Sequence, residues 1–336
     1  MPSFDDIRLG PRPSAQLAGL TSYQLRSLVL DYLCHHCYTK TAKAFARDST
    51  VRHLDADGDE ITENKEHGPA TPVELPRNEW RQMQLREQIQ KHILSGRVDE
   101  ATSMLNEHFP SVLSGAVLER PTHPSEGTQI SDAIPYACPT SVDPAHLTLN
   151  LRILSFIEAC RTIPLPYPRR AGDVLEEPST SPQQEHSAQE DEDSSSTFEQ
   201  QLMLLSKARK LLSLAETLAT PSDRDLYLKE LTNVGGLLAY KVPEHSSISK
   251  YLSQERREAV ADQINRAILE RLGLPTVSSL ELLTRYTSTV WSFAHHLGAK
   301  ARPGAVLPPT ALAPPSQKES ETVPPFDMEQ FLGFKT

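Results

Sequence analysis

The stretch LRSLVLDYLCHHCYTKTAKAF, Leu25 to Phe45, constrains this chain more than any other. Apolar side chains at Leu25, Leu28, Val29, Tyr32 and Leu33 recur at i, i+3, i+4, i+7 and i+8, one continuous stripe on a helix. A break at Cys37-Tyr38 follows, and Thr41, Ala42 and Phe45 mark a second short helix. Two helices of roughly 30 residues together bury too little apolar surface to be stable alone. Such a unit has to meet a second copy or another helical partner. The feature points to assembly rather than to chemistry. A helical hairpin buried inside one core would carry the same periodicity.

The pattern L-x-x-L-V-x-x-Y-L, a bend, then Y-x-x-T-A-x-x-F resembles the LisH motif, a helical dimerisation module of eukaryotic scaffold proteins. The segment HHCYTKTAKAFAR is particularly similar to the RanBPM group. The resemblance implies an interaction surface made by Leu25, Leu28, Val29, Tyr32, Leu33, Tyr38, Ala42 and Phe45. In that group a Gly usually precedes the Tyr, where the residue after the helix takes positive φ. Here the position is Cys37, for which that conformation carries strain.

Proline placement is the best map of the remainder. Most of the 27 prolines in this 336-residue chain fall at the N-terminus, in 69–76, in 110–182 and in 303–325. The other three, Pro221, Pro243 and Pro275, sit where helical patterns stop. Polar, proline-rich segments cannot bury enough apolar area to offset chain entropy, so these zones read as mobile linkers and tails. A formal net charge of −10 and the lack of a basic stripe interleaved with aromatics argue against nucleic-acid binding. The acidic run Glu185 to Asp193 reads as a solvated linker. No apolar run approaches the roughly 18 residues of a membrane span, and Met1 to Gly19 has no signal-peptide apolar segment. Four cysteines give no disulfide framework, which fits a reducing cytoplasmic or nuclear compartment.

Along the chain the periodicity is helical. Thr21 with Gln24 is a capping box for the first helix. Trp80, Leu85, Ile89 and Ile93 share a face until Gly96; Val98, Ala101, Leu105 and Phe109 follow until Pro110. A helix near Ala145 groups Leu147, Leu151, Leu154 and Ile157. The longest pattern starts at Phe198 and runs through Leu202, Leu205, Leu212 and Ala215. Ser222 is placed as the cap of a helix carrying Leu226, Leu231, Leu237 and Leu238, and Ser253 as the cap of one carrying Val260, Ile264, Ala267 and Ile268. A Ser278–Glu281 capping box opens the last, with Leu283, Tyr286, Val290, Phe293 and Leu297 on one side. Hairpin dipeptides flanked by alternating β-branched residues are absent. The chain is all-α.

The order of these helices extends the resemblance. Leu85 to Leu113, completed after an insertion by Leu149 to Arg161, resembles a CTLH domain at Ile89, Ile93, Gly96, Val98, Ala101, Leu105, Phe156, Ile157 and Glu158. Phe198 to Leu297 resembles a CRA domain, most specifically between Gly236 and Pro275. The implied organisation is a disordered tail over 1–19, LisH over 20–50, a linker over 51–78, and CTLH over 79–163 with an insertion at about 114–145. An acidic Ser/Pro-rich linker over 164–197, CRA over 198–298 and a Pro-rich tail over 299–336 complete it. CTLH and CRA are expected to form one composite helical domain. Ile89, Ile93, Leu105, Phe156, Ile157, Tyr240, Ile264, Ile268, Tyr286 and Trp291 would serve as its core or as surfaces that meet another subunit. About twenty residues precede LisH, so the SPRY domain of RanBPM proteins is not expected here.

Features that invite a catalytic reading have structural explanations. Cys34-His35-His36-Cys37 has the spacing of half a zinc site, yet a structural site takes four ligands, and Cys138 and Cys160 are isolated in sequence. His295 and His296 lie about 100° apart on a helix and do not face one metal. Gly235-Gly236 lacks a phosphate-loop context. No catalytic residue, cofactor or metal is therefore expected. The resemblance implies a non-catalytic scaffold subunit of a GID/CTLH-type E3 ubiquitin ligase, cytoplasmic and nuclear. Its partners would be itself or other LisH–CTLH–CRA proteins and RING-bearing subunits, with neither nucleic acid nor membrane. The alternative is a free-standing LisH-dimerised adaptor in cytoskeletal or signalling complexes.

Overall fold

The structure, a computed structural model, describes residues 22–48, 76–114, 136–168, 190–300 and 323. The segments expected to be tails, linkers and insertion lie mostly outside these residues, as does Thr21 of the first capping box. Ten α-helices are described: α1 (Ser22–His35), α2 (Thr39–Asp48), α3 (Arg77–Leu94), α4 (Val98–His108), α5 (Pro110–Ser114), α6 (Pro144–Ala159), α7 (Glu190–Glu216), α8 (Pro221–Gly235), α9 (Gln254–Arg271) and α10 (Ser279–His296). Short 3-10 turns at Gly236–Ala239, Pro243–His245 and Ser249–Leu252 join α8 to α9. There is no strand among the described residues, and the all-α class holds.

The helices sort into two compact units. One spans Pro76–Thr276 and holds α3 to α9; the other joins α1 and α2 to α10 from beyond Val277. The last helix of the expected CRA segment therefore packs with the LisH hairpin.

In the larger unit, α6 is the central element. Leu147, Leu151 and Leu154 enter a cluster with Ile89 and Ile93 of α3, Leu105 of α4 and Val260, Ile264 and Ile268 of α9. Leu149, Ile153, Phe156 and Ile157 enter a second cluster with Leu204 and Leu211 of α7 and Tyr227, Leu231 and Val234 of α8. A helix apolar all round is the expected consequence of burial on both sides. Reading its apolar residues as one stripe was too narrow, and Ile157 belongs to the second cluster, away from Leu147. CTLH and the first part of CRA thus share one core, despite the chain between α6 and α7.

Three local readings need correction. The buried line of α7 is Leu204, Leu211, Ala215 and, just beyond the helix, Leu218, whereas Leu202, Leu205 and Leu212 are exposed. With apolar residues on more than one side of α7, periodicity could not say which side meets the core. The helix also begins at Glu190, inside the segment read as a linker. The α8 cap position is Thr220, because Pro221 occupies the first helical turn, where its fixed φ fits and its missing N–H costs nothing; the buried line below it is Tyr227, Leu231 and Val234, and Leu226 is exposed. Finally, Tyr136 to Asp143, placed in the insertion, is bound to the core by side-chain hydrogen bonds as well as by packing of Ala137, Tyr136 and Val142. Glu230 accepts from the Ala137 N–H at 2.7 Å, and Gln263 donates to the Cys138 and Ser141 carbonyls at 3.0 and 2.7 Å.

The α3–α4 turn carries the most specific residues of the CTLH pattern. Gly96 sits at φ +78°, and Arg97 N–H reaches back to His92 O at 2.8 Å to close the helix end. A Cβ on Gly96 would lie 2.8 Å from Arg257 Nη2 and 3.0 Å from Glu158 Oε2. Those atoms form a buried ion pair: Arg257 donates to Glu158 at 2.9 and 2.7 Å, and Arg161 adds a contact at 2.8 Å. Burial pushes the Glu158 carboxyl up, but hydrogen bonds from Arg257 and Arg161 outweigh it and hold the group below the usual carboxylate range. Gly96→Ala is expected to cost about 2 kcal/mol, from left-handed backbone strain and displacement of Arg257. Gly273→Ala, at φ +71° with open space around it, carries the strain alone and should cost less. Urea unfolding of the two variants would separate them; equal losses would show that the pair yields freely.

Candidate protein-interaction surface

In the smaller unit α1 and α2 form the expected hairpin. Tyr38 N–H donates to Leu33 O at 2.9 Å, closing α1 over Cys37, which takes φ +59°. A non-glycine residue thus holds the strained left-handed position, and its side chain is buried. Ala42 and Leu30 fill the small core, and Arg26, largely buried, donates to Ala46 O at 2.7 Å and ties the end of α2 to α1. The start of α10 is fixed to the same hairpin. Asp31 accepts from Ser279 N–H at 2.8 Å, and His36 Nε2 lies 3.4 Å from Glu281 Oε1. The Ser278–Glu281 capping box forms as the sequence indicates. Burial pushes the Glu281 carboxyl up, while bonds from Ser278 and the charge of the nearby histidines outweigh it and keep the group low.

What this unit leaves uncovered is apolar. Along α10, Leu283, Tyr286, Val290, Phe293 and Leu297 are exposed, with Tyr286 at 68% and Phe293 at 64%, and no residue of that helix is fully buried. Its half-buried positions, among them Glu281, Ser288, Trp291 and Ala294, mark the side packed within the unit. On α1, Leu25 and Val29 are exposed, as is Tyr38 before α2. Leu28, Tyr32, Leu33 and Phe45 are half-buried and Ala42 is fully buried. Helices of this length draw most of their stability from packing an apolar face, and a patch of large exposed side chains marks a surface that meets another protein.

The other residues singled out in the sequence divide cleanly. Ile89, Ile93, Leu105, Phe156, Ile157, Ile264 and Ile268 are buried in the larger unit, while Tyr240 is exposed. That unit also exposes Leu202, Met203, Leu205 and Leu212 along α7, a second apolar face.

The residue pattern and geometry meet in one finding. A family model described as the CTLH/CRA C-terminal to LisH motif domain matches residues 82–292, more than half of the chain. The chain belongs to this family. The match, with the helical hairpin that precedes it, is consistent with a LisH–CTLH–CRA protein. Neither curated proteins nor solved structures offer a further match. This is a family of protein-interaction domains, and within the matched residues α7 and α10 carry exposed apolar side chains. No helix among the described residues is long and apolar enough to cross a membrane.

Proposed function

We propose that this CTLH/CRA protein is a non-catalytic scaffold subunit of a GID/CTLH-type E3 ubiquitin ligase, of the RanBPM-like kind. It would assemble in the cytoplasm and nucleus with itself or with other LisH–CTLH–CRA subunits, and through them with RING-bearing chains that supply catalysis. The observation that carries the reading is the uncovered apolar face of α10, together with the exposed Leu25 and Val29 of the same unit. A hairpin and one further helix offer little interior, so the unit gains most of its stabilisation from a partner that covers this face.

Phe293→Asp tests it. The side chain is mostly exposed, so the variant should fold with an unchanged circular dichroism spectrum. A charge placed in a desolvated interface costs several kcal/mol, enough to lose the complex. Affinity purification from the native cell should recover RING-bearing subunits with the wild-type chain and not with the variant. Recovery of the full set by a folded Phe293→Asp chain would refute this role for the surface.

A further inference from the structure

The expected absence of a metal site rested on Cys138 being isolated in sequence, and the fold removes that isolation. Cys138 lies in the loop before α6, His146 in the first turn of α6 and Asp223 in the first turn of α8. The Cys138 sulfur, a His146 ring nitrogen and an Asp223 carboxylate oxygen all come within 4.8 Å of one another. His146 Nε2 is 3.6 Å from Asp223 Oδ2. Ligand atoms around a tetrahedral zinc ion stand roughly 3.3–3.8 Å apart, given bond lengths of about 2.0–2.3 Å. The three groups are therefore a small side-chain adjustment from closing on one ion.

The surroundings are those of a built site. His146 Nδ1 is engaged with Ser141 Oγ at 2.8 Å, which leaves Nε2 facing Asp223 and is how a ligating imidazole is oriented. Cys138 takes φ +49°, a strained conformation for a residue with a side chain. It is held there by Gln263, which donates to the carbonyls of Cys138 and Ser141. The Tyr227 hydroxyl is fully buried, with the Cys138 sulfur and the Asn150 side chain as its polar neighbours. A thiolate at Cys138 would accept from that hydroxyl more strongly than a neutral thiol does.

We propose that Cys138, His146 and Asp223 bind a divalent cation of the zinc class, with water completing the tetrahedron. A thiolate and a carboxylate neutralise the ion's two charges, and the thiol proton leaves to solvent as the metal binds. The ion would tie the loop before α6 to the start of α8 while keeping one position open to water, unlike a closed four-ligand structural site. Three protein ligands suit zinc in its less closed form, and the sulfur–nitrogen–oxygen set excludes magnesium and calcium, which take oxygen.

The test uses the full chain stripped with a chelator and titrated with cobalt(II), then with zinc(II). The expected result is one equivalent of cobalt bound with a sulfur-to-metal charge-transfer band, displaced by zinc, and a melting temperature that rises with zinc. Cys138→Ser should abolish the band, while His146→Asn and Asp223→Asn should each weaken binding at least about tenfold. Cys34→Ser/Cys37→Ser controls for the other histidine- and cysteine-bearing group, His35, His36 and Glu281 with its neighbouring thiols, and should leave the band intact. Absence of cobalt binding by the wild-type chain would overturn the proposal whatever the variants do. So would a band that survives Cys138→Ser and disappears in Cys34→Ser/Cys37→Ser.

Discussion

Glu230→Ala is expected to destabilise the larger unit by about 3–5 kcal/mol, the cost of leaving one member of a buried ion pair without its partner. Glu230 and Arg256 are almost wholly buried, 3% and 1% exposed, and Arg256 Nη2 donates to Glu230 Oε1 at 2.5 Å. The other carboxylate oxygen accepts from the Ala137 N–H at 2.7 Å, and the Arg256 guanidinium stacks 4.0 Å over the Tyr136 ring. Removing the carboxylate strands a guanidinium and an amide together and frees the 136–143 loop from α8. The pair need not be stabilising in itself, because two Arg256 nitrogens, Nε and Nη1, are buried without a hydrogen-bond partner. Glu230→Met/Arg256→Met should therefore recover most of the loss, since an apolar pair of similar volume often replaces a buried ion pair at little cost. Urea unfolding of both single variants and the double, read as a cycle, decides it. A single-variant loss below 1 kcal/mol would mean that water reaches Arg256.

The difference between what was and was not legible in the sequence lies in the kind of interaction. Helices were legible because burial on one face writes itself as a period: Ile89 and Ile93, Val260, Ile264 and Ile268, and the α10 stripe all stand where periodicity puts them. Periodicity says that a face is apolar but not what covers it. Ile264 and Tyr286 carry the same kind of signal, yet one is core and the other is exposed. On α7, where Leu202 and Leu205 compete with Leu204 and Leu211, the same signal pointed to the wrong side. Polar networks have no period. Arg86, Glu230, Arg256, Arg257 and Gln263 are buried in this fold, although such residues are rarely buried unless paired. Their partners are distant in sequence: Arg86 donates to Asn265 at 2.9 Å, and Arg257 binds Glu158. The cluster at Cys138, His146 and Asp223 was hidden for the same reason, being assembled from three segments.

Phe156→Ala separates a core role from a surface role on one side chain, and a loss of about 3–5 kcal/mol is expected. Phe156 is 2% exposed within the cluster that α6 shares with α7 and α8. Truncation removes the ring from a close-packed interior whose neighbours, Tyr227 and Val234 among them, are themselves fully buried, so the void cannot collapse without moving helix α8. Leu226→Ala is the companion control: its side chain lies on the solvent side of α8, and an exposed truncation changes stability by no more than about 0.5 kcal/mol. Because α1, α2 and α10 form a separate unit, unfolding of the full chain need not be a single transition. Only the transition of residues 76–276 should move in Phe156→Ala, whereas the binding assay on Phe293→Asp should change without moving it. A Phe156→Ala chain that unfolds like wild type but fails to recover its partners would put the ring at an interface and the boundary of this core in the wrong place.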